Sequence, residues 1–159
     1  MSCNCDDQCS TPITIPTGNA GNDGADGSDG IFGGFSSNWL FSSSTSTGPS
    51  ATEIRLNNGT PASVTEIYVA DSNGNSIDMS AFLTSFSNGS AFGKIRLYKE
   101  DDKTKFWLGT ITAVTDNGTD FTLAVTHIQS NSAFASTDSV IVSFAPSGAD
   151  GSTGSNGTN

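Results

Sequence analysis

Three cysteines, Cys3, Cys5 and Cys9, stand at Cys-x-Cys-x3-Cys spacing near the start of the chain. Thiols so placed have three uses. They could give thiolates to a zinc ion if a fourth ligand or another chain completed the tetrahedron, form interchain disulfides where copies of the segment meet in an oxidising medium, or stay free against a partner. Asp23, Asp26 and Asp29 recur at every third position. Carboxylates in that row form a solvated acidic face with at most weak, screened association of Ca²⁺, which prefers such oxygen ligands. His127 is the sole histidine. A nucleophile needs a base and a group that orients it, and a lone histidine in an alternating segment reads as an ordinary strand residue. No catalytic site, cofactor site or dedicated metal site is expected, and the chain reads as non-enzymatic.

Two patterns that imitate functional motifs reduce to turns. Asp71-Ser72-Asn73-Gly74-Asn75 looks like the start of a calcium loop, but its glycine falls at loop position four and no bidentate glutamate follows. The Asn-Gly-Thr/Ser sequons at Asn58, Asn88, Asn117 and Asn156 carry Asn-Gly turn chemistry, and glycosylation would need a secretory context.

The elements that would position these residues fall into four stretches. Residues 1–17 form an extended arm, in which Pro12 and Pro16 flank the alternating Ile13 and Ile15. Residues 18–33 place glycine at every third position, at Gly18, Gly21, Gly24, Gly27, Gly30 and Gly33. The period returns over residues 148–159 at Gly148, Gly151, Gly154 and Gly157. That spacing marks the collagen triple helix, whose crowded axis admits only glycine. A Gly-rich linker rarely keeps strict register through two separate tracts. A calcium-binding β-roll would need an apolar residue in each turn, and residues 18–30 hold only Ala20 and Ala25. Neither tract has proline at its X or Y positions, so the triple helix should be weak alone and depend on something else to bring three chains together.

Residues 34–147 are the candidate for that task. Strands are predicted at 35–43, 52–56, 64–70, 93–99, 104–114, 120–126 and 139–144 from alternating, β-branched and aromatic residues. Asn58-Gly59, Asn73-Gly74, Asn88-Gly89 and Asn117-Gly118 supply turns, the last joining two alternating runs as a hairpin. One short helix is predicted over 78–86, where Met79, Phe82, Leu83 and Phe86 take helical spacing after a capping Asp78. Strands at this spacing suggest an all-β, β-sandwich or jelly-roll-like trimerisation domain. Trp39, Trp107, Tyr68, Tyr98 and the ten Phe fall mostly on inward alternation. They are expected in the core or a trimer interface more than on a sugar-stacking surface.

The runs Asn38-Trp39-Leu40-Phe41-Ser42-Ser43-Ser44 and Ile54-Arg55-Leu56-Asn57-Asn58-Gly59-Thr60-Pro61-Ala62-Ser63-Val64-Thr65-Glu66-Ile67-Tyr68-Val69 resemble a recurrent β domain of marine and cyanobacterial phage fibre proteins. Phe106–Thr112, Asp116–Gly118 and Val140–Phe144 follow in matching order. The resemblance covers about residues 34–148 and implies a homotrimeric module of a virion appendage, commonly bordered by Gly-X-Y repeats, with no catalytic set to transfer. The arm with its cysteines lies outside the pattern.

Composition narrows the partners. With 16 acidic residues against 6 basic ones, a net charge of −10, the chain lacks the basic stripe that phosphate neutralisation demands, so nucleic acid is not expected. No long apolar run or secretory leader is legible, which predicts no membrane span and, if the protein acts outside a cell, arrival by a route other than Sec export, such as assembly into a virus particle followed by lysis. The expected role is a phage virion or tail-fibre segment, placed on the virion surface or in an extracellular fibre, with residues 1–17 docking on a virion or fibre attachment protein. Two alternatives stay open: a filament subunit joined head to tail through its arm, and an adhesin binding a host glycan through the β domain.

Overall fold

The computed structural model describes residues 36–86 and 92–146 together with Asn22. The arm, both Gly-X-Y tracts and Asn88 lie outside the described residues, Asn22 apart. Seven strands form: β1 (Ser36–Ser42), β2 (Glu53–Leu56), β3 (Glu66–Ala70), β4 (Lys94–Lys99), β5 (Phe106–Asp116), β6 (Asp120–Asn131) and β7 (Ser139–Ala145). Each predicted strand is present. β5 begins two residues after its predicted start, and β6 runs five residues beyond its predicted end at Thr126.

The architecture corrects the expected sandwich. All seven strands belong to one sheet closed in the order β1-β2-β3-β6-β5-β4-β7. Closure falls to β1, which pairs parallel with β2 at Leu40↔Glu53 and antiparallel with β7 at Ser36↔Ser143. Two register irregularities between β5 and β6, at Leu108/Gly109 and Ile111/Ala113, increase the local twist that curls a long hairpin around the barrel. Gly109 sits at the first of them because a Cβ there would collide with the Trp107 ring and press on the Thr126 carbonyl. The Asn117-Gly118 hairpin forms as the sequence predicts, with Gly118 at φ +93° and its N–H donated to Asp116 Oδ1 at 2.8 Å.

Inward positions on every strand are apolar and buried, including Trp39, Ile54, Ile67, Val69, Ile95, Leu97, Trp107, Ile111, Leu123, Val140 and Val142. At one end the chain enters at Ser36 and leaves past Ala145 on neighbouring strands. We call this the entry end. The segment between β3 and β4 plugs it with the short helix α1 (Ser80–Ser85). Met79, Leu83 and Phe86 are buried there, and the Phe86 ring lies 4.1 Å from that of Phe144. The helix starts two residues later than predicted, with Met79 as its N-cap, although Asp78 Oδ1 still accepts the Ser80 N–H at 2.8 Å. Gly93 is required at this end, since a Cβ would run into the Ala145 carbonyl and Pro146.

β2 is only four residues long, so β1 below Leu40 has no strand partner on that side. Residues 71–77 fill the gap. The Gly74 N–H donates to the Asn38 carbonyl at 2.7 Å and the Trp39 indole N–H to the Ala70 carbonyl at 3.0 Å. Asn73, 4% exposed, donates from Nδ2 to Ser37 Oγ and accepts the N–H groups of Asn75 and Ile77 on Oδ1, each at 2.9 Å. Replacing Asn73 by Ala would remove three part-buried hydrogen bonds at a cost of about 1–3 kcal/mol. Urea denaturation of the full chain should show that loss for Asn73→Ala and less than about 0.5 kcal/mol for the exposed neighbour Asn75→Ala; equal midpoints for the two variants would refute the role of Asn73.

Candidate functional site

Among the described residues the far end of the barrel carries two open features. Its mouth is formed by residues 43–52, 57–65, 100–105 and 132–138, the connections opposite the entry end. A 3₁₀ turn at Pro61–Ser63 seats over Trp107, whose indole N–H donates to the Pro61 carbonyl at 2.9 Å. Phe134 packs its ring 5.3 Å from Phe41. Between them lies a cavity of about 100 Å³ lined chiefly by Phe41, Leu56, Pro61, Trp107 and Phe134. That volume falls below the roughly 300–1,000 Å³ of drug-sized ligand sites, so the space suits a small apolar group and not a sugar ring. The loop that covers it holds two non-glycine residues in the left-handed region, Ser132 at φ 62° and Thr137 at φ 73°, each costing on the order of 1 kcal/mol.

Beside this mouth an open polar cleft of about 270 Å³ is lined by Lys99, Glu100, Asp101, Thr137, Asp138 and Ser139. Lys99 Nζ lies 3.0 Å from Asp138 Oδ1 and 3.4 Å from Asp101 Oδ1. The hydrogen bond to Asp138 holds the Lys99 ammonium above its ordinary pKa against partial burial, and Asp101 adds to it. At Asp138 burial pushes the carboxyl up, but the Ala135 N–H and the Lys99 ammonium outweigh it and leave the pKa lowered. One ammonium thus faces three carboxylates, since among the described residues the Glu100 carboxylate is bonded only by the Ser139 hydroxyl, and the cleft stays acidic.

Several sequence candidates resolve into structure. Trp39 and Trp107 are barrel core, as are Phe41, Phe86, Phe121, Phe134 and Phe144. Tyr68 lies on the outer face of β3 yet is only 4% exposed. It donates to Glu66 Oε2 at 2.6 Å, and burial together with that carboxylate pushes its hydroxyl up to about 12. Tyr98 and Phe106 flank the guanidinium of Arg96 at 5.0 and 5.6 Å. His127 pairs with Gly109 across the β5–β6 ladder, its Nε2 3.0 Å from Ser130 Oγ. Asn73 Oδ1 is occupied by backbone donors, so the loop resembling a calcium site is a hydrogen-bonded turn. Asn58 accepts the Thr60 N–H at 2.8 Å, and Asn117 donates to Asp120 and Thr122.

Among the described residues no group of three or more His, Cys, Asp and Glu is placed to hold a metal, and no helix is long and apolar enough to cross a membrane. Cys3, Cys5, Cys9, Asp23, Asp26, Asp29, Asn156 and the glycines of both tracts lie outside the described residues. The far-end cavity and the Lys99–Asp138 pair were not foreseen. The acidic-basic run Lys99–Lys105 was the available signal, but nothing in the sequence ties it to Asp138. Comparison with protein-family models, with curated proteins and with solved structures gave no match.

The ion pair has a definite pH signature. A depressed carboxyl contributes stability that is full above its unfolded pKa of about 4 and is lost as pH falls through the folded value. A raised ammonium contributes stability that is full below about 10.4 and is lost as pH rises through its folded value. Asp138→Asn should therefore lower the thermal midpoint between about pH 5 and 9, and the gap to the wild type should shrink as pH falls below about 4 and through the lowered folded value of Asp138. Calorimetry across that range checks it, and a gap independent of pH would contradict the assignment.

Proposed function

We propose that this chain is a structural, non-enzymatic subunit of a homotrimeric fibre, of the bacteriophage virion or tail-fibre kind, in which residues 1–17 dock on a virion or fibre attachment protein. The observation that carries this reading is the glycine period. Gly18 to Gly33 and Gly148 to Gly157 keep strict spacing of three on both sides of a single barrel. A polyproline-II-like chain with glycine in that register has one assembled form, three chains about a common axis.

The barrel supports the reading in two ways. Its large side chains point inward and close-pack, which suits a rigid body. Its sheet is closed, which leaves no complete edge strand of the kind through which β proteins aggregate. The proline-free tracts need such a body to hold three chains at high local concentration. Closure also bears on the head-to-tail filament. An arm adding as a strand would find no complete edge strand, only the stretches of β5 past Ile111 and of β6 past Val125 that pair on one side, so linkage of that kind would rest on those stretches, the cysteines or the tracts.

Gly24→Ala separates a triple helix from a flexible linker. Three methyl groups cannot enter the axis, so residues 18–33 should lose protease resistance while the barrel melts unchanged. In a linker, alanine is an ordinary residue and cleavage would not change. Light scattering on residues 34–147 should still give a trimer, because the barrel domain supplies the association that the tracts lack. A monomer there would move that role to the tails.

A further inference from the structure

We propose that the entry end of the barrel is the face on which three copies of this chain meet, with the far end turned away from the common axis. The inference rests on the trimeric Gly-X-Y reading above and adds where the contact lies. The chain enters β1 at Ser36 and leaves β7 past Ala145, on strands paired Ser36↔Ser143, so both attachments are at one end. Gly33 precedes Ser36 by three residues and Gly148 follows Pro146 by two. At no more than about 3.6 Å per residue, those links reach about 11 and 7 Å. The last glycine of the first tract and the first of the second are thus both tied to the entry end.

Each tract requires three copies on a shared axis, and two triple helices cannot occupy the same stretch of it. A barrel threaded in line between them would need the chain after Pro146 to travel back along the barrel. With β6 running 12 residues, that path is on the order of 40 Å, and only Ser147 stands between Pro146 and Gly148. The arrangement that satisfies both links has the axis passing beside the entry end and each barrel projecting outward from it.

The surface chemistry of the two ends agrees. The far end carries Lys99, Glu100, Asp101, Asp102, Lys103 and Lys105 in one connection, a density of charge that the cores of interfaces avoid. The entry end presents Asn75, Ser76 and the Asn117-Gly118-Thr119 turn, with Asp71, Asp78, Asp116 and Lys94 spread around them on separate segments. It also presents Ile77, 56% exposed, more than either Leu40 at 39% or Ile128 at 46% on the barrel flank. The occupant that fits is a second and third copy of the same end.

The test uses the full chain with Cys3→Ser, Cys5→Ser and Cys9→Ser, carrying one nitroxide label on either Ile77→Cys or Lys103→Cys, with Asn75→Cys as a second entry-end site. Sedimentation gives the mass and pulsed dipolar spectroscopy the spacing between labels. A trimer is expected in which the Lys103 labels are at least about twice as far apart as those at 77 and 75, because the length of the barrel separates them. A trimer with equal spacings at the two ends, or with the shorter spacing at position 103, overturns the inference and leaves the trimer reading standing. A monomer mass overturns both.

Discussion

The closure of the sheet through β1 is the constraint from which the rest follows. β1 must satisfy two partners of opposite sense, β2 in parallel and β7 antiparallel, and β2 is too short to cover it fully. The shortfall exposes backbone groups beside the core, where unpaired polar groups are costly. The Gly74 N–H bonds the Asn38 carbonyl of β1, while Asn73 holds the Ser37 side chain and the Trp39 indole ties β1 to the Ala70 carbonyl of β3. Trp39 is therefore both the largest inward side chain of β1 and a polar bridge to Ala70. The plug at the entry end belongs to the same solution, since the segment that seals the β1 gap continues directly into Met79 and α1.

What the sequence made legible was local. Alternation in β2, β4 and β7 identified their buried faces, because period-two patterning records which side meets the core. Asn117-Gly118 fixed a hairpin because an Asn-Gly pair enters the left-handed region at little cost. Closure was not legible. An inward face packed against a second sheet and one packed against the far wall of its own barrel give the same alternation, so the sandwich and the barrel could not be told apart by periodicity. The distinction lies in the bulges at Gly109 and Ala113 and in the parallel pairing of β1 with β2. Neither leaves a pattern in one chain. The extension of β6 through His127 to Asn131 was missed for a related reason. Its final residues alternate weakly because they stand outside the core, held by pairing with β5.

The candidate chemistry divides along the same line. Residues whose role is packing, such as Trp107 and Phe134, were legible as core from their type, while the small cavity they leave depends on how the Pro61 turn and the 132–138 loop meet. The Lys99–Asp138 pair joins residues 39 positions apart, brought together because β4 and β7 are neighbours. Only topology could reveal it.

A closed barrel also decides what kind of assembly this domain can enter. An open sheet associates by adding strands, and its specificity is then a matter of blocking the wrong edges. Here the ladder closes on itself and, among the described strands, β5 past Ile111 and β6 past Val125 are the long stretches paired on one side alone, so association relies chiefly on side chains of the flanks or ends. Such contacts are set by shape and charge, and the charge is uneven. All six basic residues lie within the barrel sequence, whereas six of the 16 acidic ones, Asp6, Asp7, Asp23, Asp26, Asp29 and Asp150, lie in the flanks. The flanks therefore repel their own copies, most strongly at low salt, and proline-free triplets add little to oppose that. In the proposed fibre, a triple helix built on them would depend on the barrels to hold its strands together, and the barrels would gain from the tracts a fixed order. Each part would supply what the other lacks, which is a physical reason for strict glycine register to recur on both sides of one domain.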